Sequence, residues 1–367
     1  MVTPFDWSVY NAKGGVPWLP KRTVYLTKHG SHAYGTSLPT SDLDLRGIAI
    51  PPKEYLLGYV KGFEQAKQDD PDFVVFGIQK FFTMASDCNP NALEIIFTDP
   101  SDHLVVTPIA ERLFENRKLF LSRRTKHTFA GYAHSQLGRI DRHYKWLKDP
   151  PKAPPKREDF GLSEKPAIEK NQLDAAMSMI KKQLDSWAVD FIDHFDPGVR
   201  ISIVNKMTEY LAGIQIASDE TFAAAARLIG FTENFIHMLQ REREYRQKQA
   251  NWDSYEEWQL NRNEARAKLE AEFGYDTKHA MHLVRLMRMC REVLTTGEVH
   301  VKRPDAEELL EIRAGKWTYE DLMSWSKAED KLLDEAMKTS VLPKEVDRGK
   351  LDQLCIELIE EGLRVLP

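Results

Sequence analysis

Asp42 and Asp44 flank a single leucine in the run Ser41-Asp42-Leu43-Asp44-Leu45-Arg46-Gly47, a short distance after a Gly30-Ser31 pair. Two carboxylates held side by side repel each other unless a cation sits between them. Their hard oxygen atoms favour Mg2+ over softer metals. A Gly-Ser turn lets backbone amides and a hydroxyl approach a phosphate closely. Taken together, the two elements read as a metal and phosphate site. Taken singly, Asp42 and Asp44 are equally well solvated acids at a strand edge, and Gly30 a plain turn.

Three short apolar segments must position these groups. Val24 to Leu26 forms one strand, and Leu43, Leu45, Ile48 and Ile50 supply the apolar positions of a second. Residues two apart in a strand share a face, so Asp42 and Asp44 are expected to project together while Leu43 and Leu45 turn inward. The run Asp72-Phe-Val-Val-Phe76 reads as a third strand, followed by a helix over Gln79 to Ala85. Asp69-Asp70-Pro71 before it has the composition of an acidic turn.

The segment Gly30-Ser31-His32-Ala33-Tyr34-Gly35, with Ser41 to Gly47, resembles the signature of the DNA polymerase beta superfamily. More narrowly it is similar to a family of predicted nucleotidyltransferases from bacteria and their phages. The stretch around Glu94 (Asn89-Pro-Asn-Ala-Leu before it, Ile95-Ile-Phe97 after it) and the segments Thr296-Gly297, Val301 to Pro304 and Ile312 to Trp317 resemble the same family, so the likeness covers most of the chain. The resemblance implies transfer of a nucleoside monophosphate from an NTP such as ATP to an acceptor hydroxyl, releasing pyrophosphate. It implies two Mg2+ ions, replaceable by Mn2+, on Asp42, Asp44 and a third acid from a later strand, a role that falls on Asp72. Asp70 and Glu94 are weaker candidates, and Glu94 reads otherwise as a polar anchor at the start of a strand. Gly30 and Ser31 would hold phosphates. Arg46, on the face of the acid pair, suits either a phosphate contact or an ion pair with a carboxylate.

Composition bounds the rest. The 367 residues carry a net charge of -5, with 42% hydrophobic and 29% charged residues, as in a globular protein large enough for two domains. Cys88, Cys290 and Cys355 are far apart, with neither disulfide-framework nor metal spacing. The N-terminal sequence lacks the basic and apolar regions of a signal peptide, and no apolar run is long enough to span a bilayer. A cytoplasmic location without membrane contact is the expectation.

The chain changes character near residue 118. Before it, strands alternate with turns; after it, helical periodicity dominates. The expected class is therefore α+β, with a catalytic domain at 1–118 built on a small mixed sheet and a mostly helical domain at 119–367. Helices are expected at Thr128–Leu147, Asn171–Phe195, Val199–Ser218, Asp219–Arg246, Ser254–Phe273 and Thr277–Thr295. A Pro-rich loop near 148–170 separates the first two, because its prolines remove helical donors. Thr318 to Asp321 reads as a helix cap.

Two positive helix faces complete the picture. From Leu121 to Lys148 there are seven Lys or Arg residues against one acid. Arg139, Arg142 and His143 lie at i, i+3 and i+4 and so share a face suited to an acceptor such as an RNA or DNA end, or simply a basic face paired with acids elsewhere. On Thr277–Thr295, Lys278, His282 and Arg285 fall at i, i+4 and i+7 and suit nucleotide phosphates or a structural polar face. The reading from another class is a catalytically inactive nucleotide-binding sensor or interaction module. Within the same superfamily, small-molecule and protein acceptors are also represented.

Overall fold

The structure is a computed structural model that describes residues 5–10, 16–166, 168–190, 219–262 and 264–367. The helix expected at Val199–Ser218 and the end of the one expected at Asn171–Phe195 lie outside them.

A five-stranded mixed sheet is built from β1 (Thr23–His29), β2 (Asp44–Ala49), β3 (Gln65–Asp69), β4 (Asp72–Gly77) and β5 (His103–Val106), in the order β3-β4-β2-β1-β5. Strand β1 runs antiparallel to both β2 and β5, and β2 is parallel to β4. Side chains alternate across the sheet, and both faces are covered. Val24, Ile48, Val74 and Phe76 enter one core, whereas Leu26, Leu45, Phe73 and Val75 enter another. Burial on both sides explains why Phe73 to Phe76 is apolar without alternation.

The first of these cores continues into the helices. Ile78–Ser86 and Pro90–Ile96 follow β4, and the long helices Thr125–Lys148 and Thr277–Thr296 contribute Phe129, Ala133, Leu283 and Val284 to the same apolar cluster. The change of character at residue 118 is thus a passage from sheet to helices within one packed body. Compact packing divides the chain into Met1–Lys148 with Asn263–Pro367, and Asp149–Arg262. Of the two, the first holds the sheet.

The second unit has a core of its own, with Leu173, Ile180, Phe222, Ala226, Ile236 and Leu239. Its helices are Lys170–Asp190, Asp219–Leu228 and Glu233–Leu260. The single helix expected over Asp219–Arg246 is broken at Gly230, whose φ of 89° a right-handed helix cannot accommodate, and Thr232 caps the next helix by accepting from the Phe235 amide. The helix expected over Ser254–Phe273 is likewise two, because Glu233–Leu260 stops at Asn261 and Glu264–Phe273 begins anew.

Other elements follow their signals closely. Thr277–Thr296 starts where the Asp276 side chain accepts from the His279 amide and stops at Gly297, whose φ is 70°. Thr318 and Asp321 form a reciprocal capping box on Tyr319–Thr339. Ile95 and Ile96, expected to begin a strand, instead end the helix Pro90–Ile96. Asn89 accepts from the Asn91 amide and Pro90 sits where a helix start needs no donor, so local capping outweighs the β-branched composition. Among the described residues no helix is long and apolar enough to cross a membrane.

Candidate active site

Three strand ends converge on the acidic motif. His29, the last residue of β1, pairs with Asp44, the first of β2. Leu45 pairs in parallel with Phe73, which places Asp44 and Asp72 one residue upstream on neighbouring strands. Strand β2 begins at Asp44, so Asp42 is not in the strand as expected. It lies just before it, exposed, close enough for its charge to act on Asp44.

Gly30 turns the chain out of β1 into the short helix Gly30–Tyr34 with a φ of 61°. A Cβ there would stand 2.0 Å from Asp44 Oδ2. Glycine is required twice over, by the left-handed backbone and by the carboxylate packed against it. Ser31 follows as the next residue of that helix, partly exposed, with its carbonyl accepting from the Thr36 amide at 2.9 Å.

The carboxylates interact directly. Burial, the charge of Asp72 and a hydrogen bond to Asp72 raise the Asp44 pKa to about 6, with Asp42 adding to the effect and Arg46 opposing it. Burial also works against the charge of Asp72, but Arg46 outweighs it and holds that carboxyl below its usual value. The guanidinium grips Asp72 with both prongs, Nη1 to Oδ1 at 3.0 Å and Nη2 to Oδ2 at 2.8 Å, while Nη1 also donates to the Leu45 carbonyl at 2.8 Å. Of the two roles that the sequence allowed Arg46, the carboxylate pair is the one present.

Two hard oxygen donors crowded until one carboxyl is raised to a pKa of about 6 form a set that a divalent cation would relieve. Asp44 and Asp72 therefore fit the metal that the family resemblance implies. Among the described residues no group of three or more His, Cys, Asp or Glu is gathered for a metal.

Behind the Gly30 turn lies a buried polar cluster. The Tyr34 hydroxyl donates to Glu94 Oε2 at 2.6 Å, the Arg285 guanidinium donates to Glu94 Oε1 and stacks 3.7 Å above the Tyr34 ring, and His29 Nε2 is 3.5 Å from Glu94 Oε2. Glu94 is fully buried. Burial alone would raise its pKa, but Arg285, His29 and the Tyr34 hydrogen bond hold it below the usual value. Glu94 is thus an internal anchor on a helix, turned toward Arg285 and Tyr34. Arg285, placed among nucleotide ligands by its helical spacing, is spent on this pair and is almost wholly buried. His282 is neutral at physiological pH, since burial and then the nearby Arg285, Lys278, His279 and Arg266 push its pKa down to about 3. It brings no positive charge to a phosphate. No spacing rule marks Tyr34 as part of this cluster, because its partners are distant in sequence.

Lys278 alone of that helical triad remains a half-buried cation within electrostatic reach of Asp44. Of the expected acceptor face, Arg139 Nη1 approaches His279 Nε2 at 3.5 Å, and His143 pairs with Glu270 at 3.3 Å and stacks on Trp146. Arg142 is exposed. Much of the basic island meets acids from elsewhere in the fold: Lys126 bonds Asp334, Arg124 lies 3.5 Å from Asp87, and His134 lies 3.2 Å from Asp330.

Residues 11–148 match the RNA repair pathway DNA polymerase beta family, RlaP. The segment is similar to a polymerase-beta-like family. An uncharacterised 38.9 kDa protein of Enterobacteria phage T4, from the nrdC-mobD intergenic region, is 31% identical over 132 residues, which are 32% of this chain and 38% of the phage protein. The chain thus matches well under two thirds of that relative's length. No solved structure matches the chain. The polymerase-beta-like segment contains Gly30, Ser31, Asp42, Asp44, Arg46 and Asp72, together with the whole sheet and the helix Thr125–Lys148. The match likens this segment to the polymerase-beta-like nucleotidyltransferases.

Proposed function

We propose that this protein is a metal-dependent nucleotidyltransferase that moves a nucleoside monophosphate from an NTP to the hydroxyl of an RNA end. The observation that carries the reading is the packing of Asp44 against Gly30 on one side and Asp72 on the other, within a segment that matches a polymerase-beta-like family. The RNA acceptor is favoured by that family's description as an RNA repair pathway family.

Asp44 and Asp72 are the residues to hold Mg2+, or Mn2+ in its place, with exposed Asp42 as the further oxygen donor of a two-ion site. When bound, such ions supply a lowered hydroxyl pKa on the acceptor and neutralise charge developing on the departing pyrophosphate. The chain's own contribution is placement. Gly30 leaves room for the Asp44 carboxylate, and the Gly30-Ser31 amides and hydroxyl suit the NTP phosphates. Arg46 holds the Asp72 carboxylate in register through a planar two-pronged pair. Glu94, Tyr34 and Arg285 fix the turn from behind, as positioning residues rather than ligands. Arg139 and Arg142 remain suited to an RNA backbone, with His143 held between Glu270 and Trp146 beside them.

The test is transfer of label from each α-labelled NTP, with Mg2+, to RNA, DNA and small acceptors. Label on RNA that disappears with Asp44→Asn supports the reading. Label confined to a small molecule or a protein would replace the acceptor, and NTP binding without any transfer would favour a nucleotide-binding module.

A further inference from the structure

Cations accumulate where the helix Thr277–Thr296 begins, and two of them, Lys278 and Arg313, have no ion-pair partner among the described residues. The Thr277 hydroxyl donates to the Arg313 carbonyl at 2.7 Å, which sets Arg313 beside the first turn of that helix. Arg266 Nη1 lies 3.1 Å from His279 Nε2, and Arg139 Nη1 approaches the same nitrogen. On the other side of the ring, His279 Nδ1 lies 2.6 Å from Asp276 Oδ2. Asp276 is buried; it accepts from the His279 amide and pairs with the His279 ring and, at 3.7 Å, with Arg266.

Lys278 and Arg313 are both half-buried, and among the described residues neither has an ion-pair partner. Burial, then Arg266 and Arg313, push the Lys278 pKa down, with Asp276 and Asp44 pulling the other way. Burial does the same to Arg313. Half-buried like charges without counter-charges are expensive to maintain, and such concentrations mark sites that an anion completes. None of Arg266, Lys278 and Arg313 lies in the segment 11–148 that matches the family.

We propose that Lys278 and Arg313, with Arg266 beside them, form one phosphate-binding wall at the start of the helix Thr277–Thr296, and that it holds the polyphosphate of the nucleotide. The assignment rests on the nucleotidyl-transfer reading for the identity of the anion. Its chemistry is that of several N–H donors around a multiply charged oxyanion. The acid pair and the wall are complementary: one handles the cations, the other the anion. Pyrophosphate, the proposed leaving product, is the simplest probe of this charge arrangement.

The experiment uses the full chain and titrates inorganic pyrophosphate by calorimetry without divalent metal. The wild type, Lys278→Met/Arg313→Met, and Lys278→Arg are compared, each with its melting temperature and its Mn2+ binding by electron paramagnetic resonance. The wall predicts pyrophosphate binding at least tenfold weaker in the double variant and retained in Lys278→Arg. It also predicts unchanged Mn2+ binding and a melting temperature equal to or above wild type, because unbalanced charge has been removed. Equal pyrophosphate binding in wild type and double variant overturns the proposal, as does no binding in the wild type. So does a double variant that loses both stability and Mn2+ binding, the signature of a structural role. A second arm measures single-stranded RNA binding, and loss of RNA affinity with pyrophosphate affinity intact overturns the polyphosphate assignment. Pyrophosphate binding does not depend on turnover, so a protein that binds it through these residues but transfers no nucleotide keeps the wall and loses the proposed reaction.

Discussion

Gly30 and Asp44 share one space: a methyl carbon on Gly30 would lie 2.0 Å from Asp44 Oδ2. Gly30→Ala must therefore displace the carboxylate, and it also places a side chain in a left-handed backbone at a cost of about 1–2 kcal/mol. The expected outcome is a modest fall in melting temperature with a loss of transfer of about a hundredfold, since displacement of a reacting group by an ångström is enough for that. Calorimetry and a transfer assay on one preparation check it, and an alanine variant with wild-type turnover contradicts the packing.

Asp44 sits at odds with the stability of the metal-free protein. Burial and the neighbouring Asp72 oppose its charge. Asp44→Asn removes that repulsion and keeps the shape, so at neutral pH without divalent ions the variant should melt at a higher temperature than wild type. Added Mn2+ should raise the melting temperature of wild type and leave the variant unmoved. Thermal scans with and without Mn2+ test both halves.

The pair formed by Glu94 and Arg285 is buried on both sides. Arg285→Ala leaves a buried carboxylate with its main counter-charge gone, and breaking such a pair costs about 3–5 kcal/mol. Denaturant unfolding is the direct measurement, and a loss below about 1 kcal/mol would show that the cluster carries little of the fold. Lys278→Ala, on the same helix but without an ion-pair partner among the described residues, should show no comparable loss.

The pKa of His282 near 3 gives stability a defined pH dependence. In the unfolded chain a histidine binds a proton near pH 6.5, whereas in the fold burial and the facing Arg285, Lys278, His279 and Arg266 keep this one neutral. The unfolded state then holds more protons between those values. The contribution is fully present above pH 6.5 and is lost as pH falls toward 3, at no more than about 1.4 kcal/mol per pH unit. His282→Gln should flatten that part of the stability profile. An unchanged slope in urea unfolding between pH 6.5 and 4.5 would contradict a neutral buried ring.

Much of this architecture is legible in the sequence because it is encoded locally. The three site strands follow from β-branched and aromatic runs, and Thr277–Thr296 from its Asp276 cap and Gly297 stop. Gly30 announces a turn, but its clash with Asp44 depends on a strand pairing that no local pattern records. Arg285 has the spacing of a cleft residue, yet its partner Glu94 comes from a distant helix. Gly230 breaks the helix through its left-handed φ of 89°, whereas the apolar periodicity runs through it on either side. Likewise the meeting of Arg266 and Arg139 at His279 exists only in the packed unit.

Mg2+-dependent transfer of label from an α-labelled NTP to RNA, compared between wild type and Asp44→Asn at matched thermal stability, tests the central claim most directly. A metal site on Asp44 predicts metal-dependent labelling by wild type, abolished by chelation and absent from Asp44→Asn. Equal labelling by both proteins would remove Asp44 from the chemistry and with it the proposed site.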